Sequence, residues 1–448
     1  MKDLTKDSIT RHILTMAAPI AIGMVTQMAY QLVDLYFVAK LGKDAVAGVS
    51  TAGNAMFVVM ALTQVLGVGT VALIAHAVGR RDQADANLVF NQSLTLSVVC
   101  GLLTFVAIAV LIRPYLQSVA ADAGTIDAGI TFVIWVMPSF VLMFPLTAIG
   151  AALRGTGIVQ PTMVIQILTV LINAILAPIL IAGWGTGYAM GVAGAGLASS
   201  ISVFIGLILL GVYFHRLEHY VAINPSLMRP QLAQWRRMLN IGLPAGGEFL
   251  LMFMFTAVIY YAIRDFGASA QAGFGIGSRV LQAILLPAMA IAFAAGPIAG
   301  QNFGAKNGAR VKETFRQAAT IGTGVMIAIT VFAQWRPQAL INVFPADPAA
   351  LAVAALFLQL ISWNFVAQGL IFTCSSMFQG LGNTLPSLIS SGSRLVSFAL
   401  PVLWLSTLPD FHIEQVWYVS IASTTLQLAV SLWLLQWEFK KRFSPVVA

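Results

Sequence analysis

Residues 154–161 read Arg-Gly-Thr-Gly-Ile-Val-Gln-Pro, and residues 379–386 read Gln-Gly-Leu-Gly-Asn-Thr-Leu-Pro. The pattern Gly-x-Gly-x-x-x-Pro therefore recurs at a displacement of 225 residues. The same displacement holds elsewhere without a gap: Pro19 meets Pro244, Gly42 meets Gly267, Gly48 meets Gly273 and Gly79 meets Gly304. With Gly155/Gly380, Gly157/Gly382 and Pro161/Pro386, this makes five glycine pairs and two proline pairs over 143 positions. The chain's 38 glycines would give roughly one such pair by chance, and its 18 prolines fewer. The chain is one unit written twice.

Composition says what the unit is made of. Of 448 residues, 59% are hydrophobic and only 9% charged, against about 25% charged in soluble domains. Such a chain cannot cover a water-facing surface, which excludes a soluble enzyme, a disordered chain and a secreted disulfide scaffold. A bilayer core of ~30 Å needs about 20 apolar residues per helix. Apolar runs fall near 13–39, 45–78, 87–112, 125–153, 159–183, 189–214, 236–264, 270–303, 314–335, 349–378, 385–408 and 413–437. The alternation that a membrane barrel requires is absent. The reading is an all-α integral membrane protein with twelve transmembrane helices in two pseudo-symmetric six-helix bundles. Six is even, so both bundles start from the same face and are related by an axis along the membrane normal. The two cysteines, Cys100 and Cys374, both lie in apolar runs, and no disulfide is expected.

The net charge of +8 reads as membrane topology and not as nucleic-acid binding. Seventeen bases collect in alternate loops and the tails, including Lys2, Lys6, Arg11, Arg80, Arg81, Arg154 and Lys440–Arg442. Five lie on the other side: Lys40, Lys43, Arg113, Arg264 and Arg336. The positive-inside rule then places both termini in the cytoplasm, in a plasma (inner) membrane. The first run has a basic flank but is too long for a signal peptide and holds Asp34, so it is read as an uncleaved helix. The most polar stretch, around His215 to Arg237, marks the join. The expected domains are an N-terminal lobe 1–220, a cytoplasmic linker 221–235 and a C-terminal lobe 236–448.

Function is sought where a polar group is costly. Of sixteen acids, only Asp34 and Glu248 lie deep in apolar runs, where a charge costs ~2.5–3.5 kcal/mol on insertion scales. Gln27, Tyr30, Gln31 and Asp34 recur at spacings of three and four, one polar face on an apolar helix. Burial disfavours a carboxylate's charge and a bound cation favours it, so such a group can exchange a proton for a cation. The second copy has Ile259 at this position. The competing reading is a structural Asp accepting hydrogen bonds. Glu248 lies one turn after Pro244 and is expected to be solvated at a cytoplasmic mouth, or paired with Arg279 or Arg394. Those two are the only bases within apolar segments.

Pro19, Pro138, Pro145, Pro178, Pro244, Pro287, Pro297 and Pro401 lie inside the runs, where each removes a backbone hydrogen bond. Pro19, four turns before Asp34, is the candidate hinge. Met24, Met28, Met56 and Met60 could line an adaptable wall, although core packing is the plainer account. His215-Arg216-Leu217-Glu218-His219 fits the H-x-x-E-H zinc-protease pattern. It lies in the join with no evident third ligand, so a solvated helix end is expected, with no metal site.

At these residues the chain resembles the multidrug and toxic compound extrusion (MATE) family over essentially its whole length. The resemblance rests on Pro19…Asp34…Leu41-Gly42, Arg154-Gly155-Thr156-Gly157…Pro161 and Gly277-Ser278-Arg279. Its most specific string is Gly296-Pro297-Ile298-Ala299-Gly300-Gln301-Asn302-Phe303-Gly304-Ala305. It implies a V-shaped pair of lobes exporting cationic drugs in exchange for H+ or Na+. The acid in the first helix is similar to that of the DinF-like branch, which implies a first-lobe site of Gln27, Tyr30, Asp34, Asn173 and Ser199. The family's Asn-x-x-x-Asp-Pro reads here Asn173-Ala174-Ile175-Leu176-Ala177-Pro178. One carboxylate is missing, and hard cations want several oxygens, so H+ coupling is expected ahead of Na+. The acids used by the NorM-like branch fall at Met252 and Gln368, with Glu248 a second candidate one turn earlier.

The expected function is secondary active multidrug efflux: H+ exchanged for amphipathic, mostly cationic xenobiotics by alternating access. No cofactor is expected, and the partners are small-molecule drugs or organic cations, H+ and membrane lipids, with no nucleic acid and a monomeric state. The alternatives are a lipid-linked saccharide flippase of the same superfamily, which should have a strongly cationic cleft, and a membrane-embedded enzyme, for which no catalytic cluster is visible.

Overall fold

The computed structural model describes residues 1–119, 122–342 and 346–443, so the last residues of the expected C-terminal lobe, 444–448, lie outside the described residues. The long elements are helices: α1 (Ile9–Ala39), α2 (Lys43–Ala52), α3 (Asn54–Gly79), α4 (Gln83–Val119), α5 (Ala123–Gly155), α6 (Gln160–Ala182) and α7 (Val192–Leu217). The second half repeats the plan with α8 (Leu232–Ala262), α9 (Ala268–Gly304), α10 (Gly308–Trp335), α11 (Pro337–Ile341), α12 (Pro348–Ile361), α13 (Phe365–Gly380), α14 (Leu385–Leu405) and α15 (Ile413–Phe443). Among the described residues, twelve spans are long and apolar enough to cross a bilayer, with α2–α3 and α12–α13 each counting as one. The run expected to stop near residue 112 continues through Pro114 to the end of α4. Membrane helices tolerate such a proline, because its φ is helical and the freed carbonyl finds another partner.

The repeated glycines occupy equivalent backbone positions. Gly155 and Gly380 end α5 and α13, and Gly157 and Gly382 follow with φ of 81° and 73°, a region that side chains disfavour. Gly42 and Gly267 precede α2 and α9 with φ of 108° and 90°. Arg81 and Lys306, also 225 residues apart, share φ near 59° and 58°. A Cβ on Gly155 would lie 2.9 Å from Ile74 Cβ, and one on Gly380 would lie 2.6 Å from the Gly296 carbonyl. Close helix approach of this kind is what holds bundles together in lipid, where hydrophobicity cannot. Caps finish other ends: Asp122 Oδ1 accepts the Thr125 amide at 2.7 Å ahead of α5, which holds that exposed carboxyl below the usual carboxylate range.

The chain divides into two units, and the divisions fall inside helices. Unit 1 comprises residues 1–3 and 22–242, and unit 2 comprises residues 4–21 and 243–448. The chain thus leaves unit 2 for unit 1 within α1, between Ala21 and Ile22, and returns within α8, between Gly242 and Leu243. Unit 1 has a core around Phe90, Phe144 and Phe214, with Met238 and Ile241 of α8 inside it. A Cβ on Gly242 would overlap the Val65 carbonyl, so only glycine admits this crossing. Residues 221–231 are strapped along α4. The amides of Ala222, Asn224 and Gln231 donate to Asn87, Asn91 and Gln92 at 2.7, 2.8 and 2.9 Å, and Gln92 Nε2 donates to the Leu227 carbonyl. In unit 2 the core is aromatic, with Phe357 4.9 Å edge-on to Trp417. Its segment 4–21 is tied by Gln301 Oε1, which accepts the Leu4 amide at 2.9 Å, and by Asn302 Nδ2, which donates to the Leu4 carbonyl at 3.1 Å.

Candidate functional site

In unit 1, three helices bring four polar side chains together. Tyr30 on α1 donates its hydroxyl to Ser199 Oγ on α7 at 2.7 Å, and Asn173 Nδ2 on α6 donates to Tyr30 Oη at 3.4 Å. Ser199 Oγ donates to Asp34 Oδ2 at 3.4 Å. Asp34 Oδ1 and Asn173 Oδ1 are buried without a hydrogen-bond partner among the described residues. Two bare acceptor oxygens in one cluster call for an added donor or cation, since a buried lone pair without a partner costs about 1–3 kcal/mol. Ala177, one turn from Asn173, is fully buried and adds only a methyl group. Gln27 does not join this cluster. It accepts from Gln166 Nε2 at 2.9 Å, about one turn nearer the Ile9 end of α1. Gln31 is exposed, so the polar face read from spacing is narrower than expected.

In unit 2, Glu248 on α8 meets serines instead of arginines. Ser387 and Ser375 hydroxyls donate to its Oε2 at 2.8 and 3.0 Å, and Ser391 donates to Oε1 at 3.3 Å. The expectation of a solvated mouth or an arginine partner is therefore corrected: α13 and α14 close over the carboxyl with short hydroxyl side chains. Arg394 donates to Gln368 Oε1 at 3.3 Å and lies 4.1 Å over the Phe255 ring, with its Nε unpartnered. No described ion pair contains Asp34, Glu248, Arg279 or Arg394. Pro19 is buried in α1, two residues before the division between units. His215, Arg216 and His219 of the H-x-x-E-H string are exposed at the end of α7, as expected of a solvated helix end, whereas Glu218 is buried and caps the Tyr220 amide at 2.9 Å.

Sequence reasoning missed the serines and Gln166. Ser387, Ser390 and Ser391 stand at helical spacing on an apolar helix, a polar stripe of the kind recognised around Asp34. It also misplaced Arg154, counted with the loop bases. The structure puts Arg154 in the last turn of α5, half-buried, with its guanidinium within 3.9 Å of where Cβ atoms on Gly67 and Gly150 would stand.

Twelve apolar spans among the described residues, with Asp34 and Glu248 set within them and outside every described ion pair, define a multi-pass membrane protein of the transporter kind. The chain belongs to the MatE family, whose model matches residues 19–179 and 244–405. The two matched segments begin 225 residues apart, the displacement of the internal repeat. Family members are transporters, so the membrane-embedded enzyme is set aside. An FAD transporter of Shewanella oneidensis is 26% identical, with 92% of this chain and 91% of that protein covered. A probable multidrug resistance protein of Bacillus subtilis is 24% identical over 98% of this chain and 96% of its own. A solved MOP superfamily transporter from Pyrococcus furiosus superposes with a TM-score of 0.90 at 23% identity, covering 99% of this chain and 98% of its own. The fold is shared with that structure.

Proposed function

We propose that this protein is a secondary active multidrug exporter of the DinF-like branch. It exchanges H+, ahead of Na+, for amphipathic and mostly cationic compounds by alternating access. Asp34 carries the exchange: deprotonated, it supports a bound cationic substrate, and protonation removes that attraction and releases the substrate outward. Tyr30, Asn173 and Ser199 orient the carboxyl, and Gln27 lies next in line along α1. Pro19 is the hinge about which α1 bends, supported by the change of unit two residues later. Both termini are cytoplasmic, the membrane is the plasma (inner) membrane, and the working unit is a monomer of two lobes.

One observation carries the reading. The Asp34 carboxyl has a buried oxygen with no partner, and no base neutralises it among the described residues. The absent carboxylate at Ala177 favours H+ over Na+, because a hard cation would find few oxygens here. A proton crossing 100 mV and one pH unit supplies ~2.3 plus ~1.4 kcal/mol. Exchange of one H+ for one monovalent cation cancels the electrical part and leaves about tenfold accumulation per pH unit. Steeper accumulation needs a second titrating group, for which Glu248 is the candidate. The name of the Shewanella relative adds flavin dinucleotides to the compounds worth screening.

The test is dye efflux from proteoliposomes under an imposed H+ or Na+ gradient. H+-driven efflux that disappears in Asp34→Asn, in protein that still elutes as a single folded species, supports the reading. Efflux by Asp34→Asn at the unaltered rate would falsify it.

A further inference from the structure

Three serines hold the Glu248 carboxyl in unit 2, and the repeat identifies their counterparts in unit 1. At the displacement of 225, Ser375, Ser387 and Ser391 correspond to Gly150, Thr162 and Gln166, and Glu248 corresponds to Gly23. Unit 1 therefore keeps a hydroxyl where Ser387 donates to Glu248 Oε2, but it has no carboxyl there to receive it. Thr162 Oγ1 is buried without a hydrogen-bond partner among the described residues. Unit 1 has a base instead: Arg154, whose counterpart in unit 2 is Gln379.

Arg154 stands in the last turn of α5, and its side chain runs back along the helix. Helical side chains lean toward the N-terminus, which here carries the guanidinium into the span and away from the helix end. A Cβ on Gly150 would stand 3.8 Å from Arg154 Nη1 and 3.9 Å from Thr162 Oγ1, so both groups border one recess. Gly150 leaves open the space that the Ser375 side chain fills in the other copy. Gly67 of α3 flanks the recess, since a Cβ there would stand 3.8 Å from Nη2. Arg154 has no ion pair or hydrogen bond among the described residues. Nor does its surrounding sequence offer one: α3 and α6 contain no acid, and Asp127 of α5 is about seven turns away. Arginine keeps its charge, has five N–H donors and accepts nothing. A guanidinium and a hydroxyl left bare on one recess call for an anion, because an unpaired charge within a span is costly. The donors are few. A multivalent phosphate, with several oxygens to satisfy, would want more of them, whereas a small monovalent anion is satisfied by this pair.

We propose that the Arg154 recess is an inorganic-anion site that takes chloride, held by the guanidinium and the Thr162 hydroxyl where unit 2 has the Glu248 carboxyl. It lies about 16 Å along α6 from Asn173 and stands independently of the exporter reading. The test is thermal unfolding of the purified full-length protein, titrated from gluconate into chloride at constant ionic strength. Tm should rise and saturate with chloride, and bromide should act in the same way. Arg154→Gln should abolish the saturable rise. Thr162→Val, which keeps the shape, should raise the half-saturating chloride concentration about ten-fold, the effect of a hydrogen bond to a charged group. Asp34→Asn should leave the response unchanged. Crystals grown in bromide should show an anomalous peak within hydrogen-bond distance of Arg154, a reading that needs no variant to fold. An unaltered protein with no saturable response, or a response that persists in Arg154→Gln, overturns the proposal. So does saturation by inorganic phosphate, or by phosphatidylglycerol in nanodiscs, with chloride inert, which would assign the guanidinium to a phosphate group.

Discussion

Each unit holds one of the two carboxyls that lie deep in apolar runs, Asp34 and Glu248, and the two are finished differently. Glu248 has a hydroxyl donor on each oxygen, with Ser375, Ser387 and Ser391 converging from α13 and α14. Asp34 accepts from Ser199 at 3.4 Å on one oxygen and has no hydrogen-bond partner on the other among the described residues. A membrane charges the same toll for either group, so the difference lies in what offsets it. Three serines complete Glu248 within the protein. Asp34 is left open to completion by something that comes and goes, which is why it is proposed as the lead coupling group, with Glu248 second.

Substitutions can break or sharpen that contrast. The largest effect is expected from Asp34→Asn, which removes a charge interaction of about 3 kcal/mol and should lower H+-driven efflux about 100-fold. A smaller gain is expected from Ala177→Asp, which places a second carboxyl one turn from Asn173. It should give a Na+ gradient about ten-fold more drive than in the unaltered protein, measured in the same vesicles. If Na+ still has no effect, the oxygen count is not what selects the ion. Tyr30→Phe deletes the hydroxyl between Ser199 and Asn173 and should lower efflux about five-fold while the protein still folds. Least is expected of Glu248→Gln, which keeps an acceptor for the serines: the initial rate should stay within about three-fold, with a loss of about 1 kcal/mol in unfolding stability. A lower steady-state accumulation in that variant would assign the second proton to Glu248. A dead Glu248→Gln beside an active Asp34→Asn would reverse the roles of the two units.

Much of the fold was legible before any coordinates. Apolar length marks a span directly, and glycines at a fixed displacement mark backbone positions that only glycine tolerates, as Gly157 and Gly382 show with φ of 81° and 73°. The Asp34 face was legible in part: Tyr30, Asn173 and Ser199 meet, whereas Gln27 turns to Gln166 and Gln31 to the surface. Helical spacing defines a face to within a broad arc, and the neighbour that fills part of that arc belongs to another segment. The error at Glu248 has the same origin. An arginine partner is what charge alone suggests, but its actual donors lie 127, 139 and 143 residues away in sequence.

The sequence by itself determined the number of spans and the duplication, and it singled out the two acids that lie deep in apolar runs. Each is a property of one segment or of a fixed displacement, and transfer to lipid acts on segments singly. Only the tertiary structure decided that Asp34 keeps a bare oxygen, that three serines satisfy Glu248, that residues 221–231 lie strapped to α4, and that α1 and α8 each divide between the units. Those depend on which helices come within hydrogen-bond reach of one another. At 3 Å, that is settled by packing and not by composition.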